Sequence, residues 1–179
     1  MEIYKLNFTK LQLEIFSLLC LKAGEKLSQR EVAKTLEVSP TAITNSVPKL
    51  LEFQLLKLEK VRNINLITFN RDEQKAIELK RVENLKNIYL SQLVDYLRQE
   101  LPGGTILLFG SYAKGEDTNT SDIDLAVIER KDKLLDLQKY EKKLNRKINV
   151  NFYTSWKAIP KHLKNNILNG ILLQGSVEL

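Results

Sequence analysis

Apolar positions mark out the chain before any chemistry is considered. Phe8, Leu11, Leu13, Ile15, Phe16, Leu18, Leu19 and Leu21 follow one another closely, so Phe8 to Ala23 predicts a helix buried over most of its circumference and ended by Gly24. Ser28 with Glu31 three residues on is a capping box, and Val32, Ala33 and Leu36 give the second helix its apolar face. Ser39 caps a third helix with Pro40 at its first position. Ala42, Ile43, Val47, Leu50 and Leu51 point inward from it, and Pro48 predicts a kink or an early end. "LLKLEK" and "INLITFN" alternate with period two and predict a hairpin turning at Val61-Arg62-Asn63.

Residues 71–100 keep near-helical spacing through Ala76, Ile77, Leu79, Val82, Leu85, Ile88, Tyr89, Leu93 and Leu97, predicting one long amphipathic helix stopped by Pro102-Gly103-Gly104. Then come a buried strand at 105–109, a second strand in "DIDLAVIE", a helix over 133–145 and a third strand in "KINVNFYT". A helix over 156–168, capped by Ser155, and a short strand in "ILLQG" close the chain. The fold class is α+β in three parts: 1–70 with three helices and a β-hairpin, 71–100 as a connecting helix, and 101–179 as a mixed β-sheet with flanking helices.

Composition narrows the class. Of 179 residues, 43% are hydrophobic and 28% charged, the profile of a globular chain. No apolar run approaches a membrane span, and the first ten residues lack the basic-then-apolar form of a signal peptide, so a cytoplasmic location and no membrane partner are expected. Cys20 is the single cysteine and sits among leucines, which excludes an internal disulfide. His162 is the single histidine, which excludes metal sites built on several imidazoles. The net charge of +6 is spread evenly: residues 1–70 hold ten Lys and Arg against seven Asp and Glu, and the rest hold eighteen against fifteen. That balance permits a nucleic-acid or nucleotide partner without forming a concentrated basic footprint.

The stretch with the most chemistry is "FGSYAKGEDTNTSDIDL", Phe109 to Leu125. Gly110 lets the backbone turn sharply after a buried strand and come close to a ligand. Ser111 offers a hydroxyl and a backbone N–H where a helix begins, a place that favours phosphate. Asp122 and Asp124 are two apart on a strand, so both carboxylates share one face. Two adjacent carboxylates repel and call for a cation, and oxygen ligands of this kind suit Mg²⁺ or Mn²⁺. A phosphate-binding turn facing a metal-binding pair is the apparatus of phosphoryl or nucleotidyl transfer.

Gly110, Ser111, Gly115, Ser121, Asp122, Asp124 and Leu125 together resemble the signature of the DNA polymerase beta-like nucleotidyltransferases, in particular the minimal ones, over roughly residues 101–175. The resemblance implies ATP or another nucleotide as substrate, Asp122 and Asp124 as metal-holding catalytic acids, and Gly110, Ser111, Lys114 and Ser121 beside the phosphates. It also implies a separate helical partner protein, sometimes in a toxin–antitoxin pair. One departure bears on activity. The superfamily usually carries a third carboxylate on the strand after the intervening helix, and here the matching position is Asn149 or Asn151. An amide oxygen can ligate Mg²⁺ but brings no charge and cannot act as a base. Glu116 and Asp117 in the loop read as solvated charges.

The first seventy residues resemble the winged helix-turn-helix domains of small bacterial and archaeal transcription regulators. That implies major-groove contacts from the third helix through Thr41, Thr44, Asn45 and Lys49, and backbone contacts from Lys60 and Arg62 on the wing. A recognition helix with one positive charge has little phosphate attraction. Two roles for the domain therefore stand side by side: DNA binding, and an interaction or dimerisation module. For the whole chain the alternatives are an NMP transferase, and a DNA-binding regulator with a degenerate nucleotide-binding or dimerisation domain. A homodimer is open to either.

Overall fold

The computed structural model describes residues 7–177. The chain packs as two units that divide between Lys80 and Arg81.

The first unit is a winged helix. It holds α1 (Lys10–Leu21), β1 (Leu27–Ser28), α2 (Gln29–Thr35), α3 (Pro40–Glu52), β2 (Leu56–Val61) and β3 (Ile64–Phe69). Local chemistry sets the helix starts. Thr9 with Gln12 and Ser28 with Glu31 form reciprocal capping boxes, and the Ser39 hydroxyl accepts from the Ala42 N–H. β2 and β3 form the expected hairpin, paired from Leu56↔Phe69 to Val61↔Ile64. β1 adds a third, antiparallel strand beside β3, which the sequence pattern did not announce because it is only two residues long. Ile15, Leu19, Val32, Ile43, Val47, Leu50, Leu55 and Ile67 fill the core. The early end expected at Pro48 is corrected: α3 runs through Pro48 to Glu52. Val47 and Leu50 are buried on either side of it, and that packing outweighs the missing N–H.

α4 (Gln74–Leu90) carries the chain into the second unit. The single helix expected over 71–100 is two. Gln92 takes a left-handed conformation (φ +68°), and the Ser91 hydroxyl donates to the Ile88 carbonyl and accepts from the Leu93 N–H, so α5 (Leu93–Glu100) starts afresh. There follow β4 (Thr105–Phe109), α6 (Gly110–Lys114), β5 (Ile123–Ile128), α7 (Gln138–Leu144), β6 (Ile148–Tyr153), a 3₁₀ turn (Trp156–Ala158), α8 (Lys161–Leu168) and β7 (Ile171–Gln174). The helix expected over 133–145 is shortened to α7. Leu135 and Leu137 pack against the core, but Leu134 between them is 99% exposed, and residues 131–137 stay irregular. The helix expected over 156–168 is split by Pro160, which disfavours helix in the residue before it.

The sheet order is β6-β5-β4-β7. β4 pairs antiparallel with β5 and β7, and β5 pairs parallel with β6. Each face is covered. Ile106, Leu108, Ile123, Leu125, Val127 and Ile148 meet helical residues such as Ile88, Leu97, Tyr112 and Leu144. On the opposite face Leu107, Phe109, Ala126 and Ile128 meet Trp156, Ile159 and Ile167. Strand alternation assigns Asp122, Asp124, Asn149 and Asn151 to this second face. Among the described residues no helix is long and apolar enough to cross a membrane.

Candidate active site

Three neighbouring strands set out the site in a row. Phe109 at the end of β4 pairs with Asp124 on β5, and Asp124 pairs with Asn149 on β6. Gly110 and Ser111 follow Phe109 directly, so the turn lies on one side of the carboxylates and Asn149 on the other. Asp122 and Asp124 are both half-buried. The Asn149 amide nitrogen donates to Asp122 Oδ2 and to Asp124 Oδ1, each at 3.2 Å. Two carboxylates that would repel each other thus converge on one partially positive group. Asn151 lies two residues on, opposite Ala126, and its amide reaches only the Leu125 carbonyl at 3.5 Å. The position that faces the pair is therefore Asn149, a choice the sequence left open because both asparagines share a strand face.

The opposite flank of Asp124 is held by Gly110. Its φ is +77°, and a Cβ there would stand 2.7 Å from Asp124 Oδ2. The left-handed backbone and the close approach together favour glycine here. Gly110→Ala is expected to destabilise the fold by about 1–2 kcal/mol through backbone strain alone and to push Asp124 off its partners. Urea unfolding measures the first effect. Loss of activity beyond the unfolded fraction measures the second.

The other expected residues are distributed as follows. Ser111 is half-buried in the first turn of α6, and Lys114 is exposed in its last turn. The Ser121 hydroxyl accepts from the Thr118 N–H at 3.0 Å, so it shapes the loop leading to Asp122. Glu116 is exposed as expected, but Asp117 is buried, which corrects its reading as a solvated charge.

Asp117 belongs to a buried polar cluster that sequence reasoning missed. Asn84 on α4 donates to Asp117 Oδ1 at 2.7 Å and to the Tyr112 carbonyl at 2.9 Å, and the Arg146 guanidinium stands 3.8 Å from Asp117 Oδ2. Burial pushes the Tyr112 phenol well above its ordinary value, the Asp117 charge adds to that, and Arg146 opposes it. The cluster fastens α6 and the following loop to the body of the domain. One signal was available: Asn84 interrupts the apolar row Ile77, Ile88 at helical spacing, where a polar residue needs buried partners. Arg146→Met is expected to cost roughly 3–5 kcal/mol in chemical unfolding, since it strips the cation from a buried carboxylate. Removing the Lys86 partner of Glu83, in a pair with an exposed lysine, is expected to cost under about 1 kcal/mol.

In the winged helix, Thr41, Thr44, Asn45, Lys60 and Arg62 are exposed. The Thr44 hydroxyl donates to the Pro40 carbonyl, and Lys49 is paired with Glu52 and lies over the Phe53 ring. The one cation of α3 is thus already engaged within the domain.

Comparison with known proteins gives a family match for one part of the chain and a set of distant structural likenesses. Residues 90–173 match the family model of the nucleotidyltransferase domain. Solved structures of ZitR from Lactococcus lactis, described as a zinc-responsive MarR family member, also match. One is 25% identical, with 51% of this chain and 65% of that chain covered and a TM-score of 0.38. A variant solved in complex with DNA is 20% identical, covering 57% of this chain and 68% of that one with a TM-score of 0.41. No curated protein sequence matches.

Proposed function

We propose that the chain is a divalent-cation-dependent nucleotidyltransferase. It moves an NMP, first of all AMP from ATP, onto a hydroxyl of a protein, nucleic acid or small molecule, and its winged helix selects DNA or a partner. The observation that carries this reading is the convergence of Asp122 and Asp124 on a single point, marked by the Asn149 amide at 3.2 Å from each.

The donor set fits Mg²⁺ or Mn²⁺. Among the described residues no cluster of three acidic, His or Cys side chains exists. Mg²⁺ commonly takes one or two carboxylates and completes its shell with water and substrate phosphates. Asp122 and Asp124 supply that share. Bound there, the cation supplies charge neutralisation of the triphosphate and of the departing pyrophosphate. Asn149 would contribute to holding the cation only through its amide oxygen, because its nitrogen can only donate. Gly110 and Ser111 would hold the phosphates on the β4 side with backbone N–H groups and a hydroxyl, with Lys114 and Ser121 as further phosphate contacts. Asn149 cannot accept a proton. The acceptor hydroxyl must therefore lose its proton to solvent or substrate, which makes the chemistry slow. A helical partner in a toxin–antitoxin pair is one candidate acceptor. ATP labelled at the α-phosphate tests the reading: pyrophosphate release that requires Mg²⁺ or Mn²⁺ supports it, and none with any acceptor and either cation refutes it.

A second reading rests on the same amide. Because the Asn149 amide already gives each carboxylate a hydrogen bond, this reading has the domain persist as a metal-free module and the chain act as a DNA-binding regulator. Thr41, Thr44, Asn45, Lys49, Lys60 and Arg62 would meet DNA, as a monomer or a homodimer. Gel shifts with the chain's own upstream DNA at two salt concentrations separate the cases, since phosphate contacts weaken steeply with salt.

A further inference from the structure

Strand edges are normally guarded by charges, proline, bulges or shortness. β7, at one edge of the second unit's sheet, is guarded: it has four residues and its register with β4 shifts at Ile106/Leu107. β6, at the other edge, is not. It pairs with β5 without interruption over six residues, Ile148 to Tyr153, and within that span carries no charged side chain and no proline. The Ile123 N–H donates to the Lys147 carbonyl and the Glu129 N–H to the Tyr153 carbonyl, so the odd-numbered residues of β6 face β5. The even-numbered residues face outward. The Ile148 N–H is taken by the Glu141 carboxylate. The N–H and C=O groups of Val150 and Phe152 have no partner among the described residues and form an open ladder beside Asn149.

That ladder lies on a particular side of the chemistry. The row runs from the Gly110-Ser111 turn through the Asp122–Asp124 pair to Asn149 and then to the open edge. In-line displacement places the attacking oxygen opposite the leaving group. If the triphosphate lies toward β4, the attacker approaches over β6. A strand added there would run about 5 Å from β6, with alternate side chains on the face that carries Asn149.

We propose that the acceptor is an extended polypeptide segment that adds to β6 as a further strand and presents a hydroxyl side chain to the carboxylate pair. This rests on the transferase reading above. In the step, the side-chain oxygen forms a bond to the α-phosphorus of the nucleoside triphosphate. The bond from that phosphorus to the α–β bridging oxygen breaks, pyrophosphate leaves with the electron pair, and the hydroxyl proton goes to water. The peptide's backbone supplies the affinity, as in other strand-addition complexes. Within β6 the side chains on the face of the pair are the neutral Asn149 and Asn151, which suit a peptide better than phosphates, although the exposed cations Lys142 and Lys147 stand near the start of the strand.

The test uses the full chain, α-labelled ATP with Mn²⁺, and a pool of ten-residue peptides rich in Val and Thr with a central Ser, Thr or Tyr. Val150→Pro removes one outward N–H, a change that edge strands tolerate. Labelling of peptide is expected, and Val150→Pro should lower it at least tenfold more than it lowers pyrophosphate release to water. Hydrogen exchange gives an independent readout in the unaltered chain: a peptide lacking the hydroxyl should slow exchange at the Val150 and Phe152 amides and leave β7 unchanged. Labelling of nucleic-acid ends but not peptides would overturn the proposal. So would equal losses of the two activities in Val150→Pro, or concentration-dependent protection of these amides without peptide, which would assign the edge to a second copy. Absence of pyrophosphate release under every condition would instead refute the transferase reading itself, and this proposal with it.

Discussion

Replacing Asp122 and Asp124 together by Asn is expected to abolish nucleotide transfer, by about a thousandfold or more, while leaving the fold intact. A bound cation contributes several kcal/mol of charge stabilisation to a transferring phosphoryl group, and each 1.4 kcal/mol is a factor of ten in rate. The pair is the convergent acidic site on this face of the sheet, and among the described residues no third acid completes a cluster that could compensate. The fold should survive because both side chains are half-buried and both are met by the Asn149 amide, which can hydrogen-bond to amides as well as to carboxylates. Label transfer from α-labelled ATP and a thermal melt of the same sample check the two halves. Transfer within threefold of the parent would remove the carboxylates from the mechanism.

The second large effect is a gain. Asn149→Asp puts a carboxylate at the point where the two others converge. With Mg²⁺ present, the third charge should tighten cation binding by about tenfold, equivalent to 1.4 kcal/mol, and raise the transfer rate by offering a proton acceptor. Without the cation the same change is unfavourable. It trades two hydrogen bonds for repulsion among three carboxylates, so the melting temperature in EDTA should fall below that of the parent and recover when Mg²⁺ is added. Asn151→Asp is the control. It lies on the same strand face but opposite Ala126 and away from the pair, so neither effect should follow. A gain in Asn151→Asp and none in Asn149→Asp would show that the row across β4, β5 and β6 has been wrongly assigned as the reacting line.

Much of this was legible in the residues, for identifiable reasons. The capping boxes at Ser28 and the Pro40 start of α3 are local chemistry, and local chemistry decided those boundaries. The Asp122–Asp124 pair needed only strand periodicity to be placed on one face. What was not legible depended on contacts between distant segments. Whether Asn149 or Asn151 faces the pair is a matter of register between β5 and β6, which one strand's sequence does not contain. Asp117 looked like a loop charge because its partners lie 33 residues before it, at Asn84, and 29 after it, at Arg146. The break at Ser91-Gln92 has no Gly or Pro to mark it. A serine hydroxyl bonding to its own backbone neighbours makes it, and such a serine reads equally well as a helix residue. Residues 133–137 had helical spacing in the sequence, but only Leu135 and Leu137 reach the core while Leu134 is left exposed, and helical spacing alone does not hold a helix.

The central claim is that two carboxylates and an amide suffice to hold a cation and a nucleotide. Calorimetric titration of the full chain with ATP, with Mg²⁺ and then with EDTA, tests it most directly. The predicted result is binding that requires Mg²⁺ and disappears in the Asp122→Asn/Asp124→Asn variant. Binding of equal strength in EDTA, or no binding to a folded chain in Mg²⁺, would contradict it.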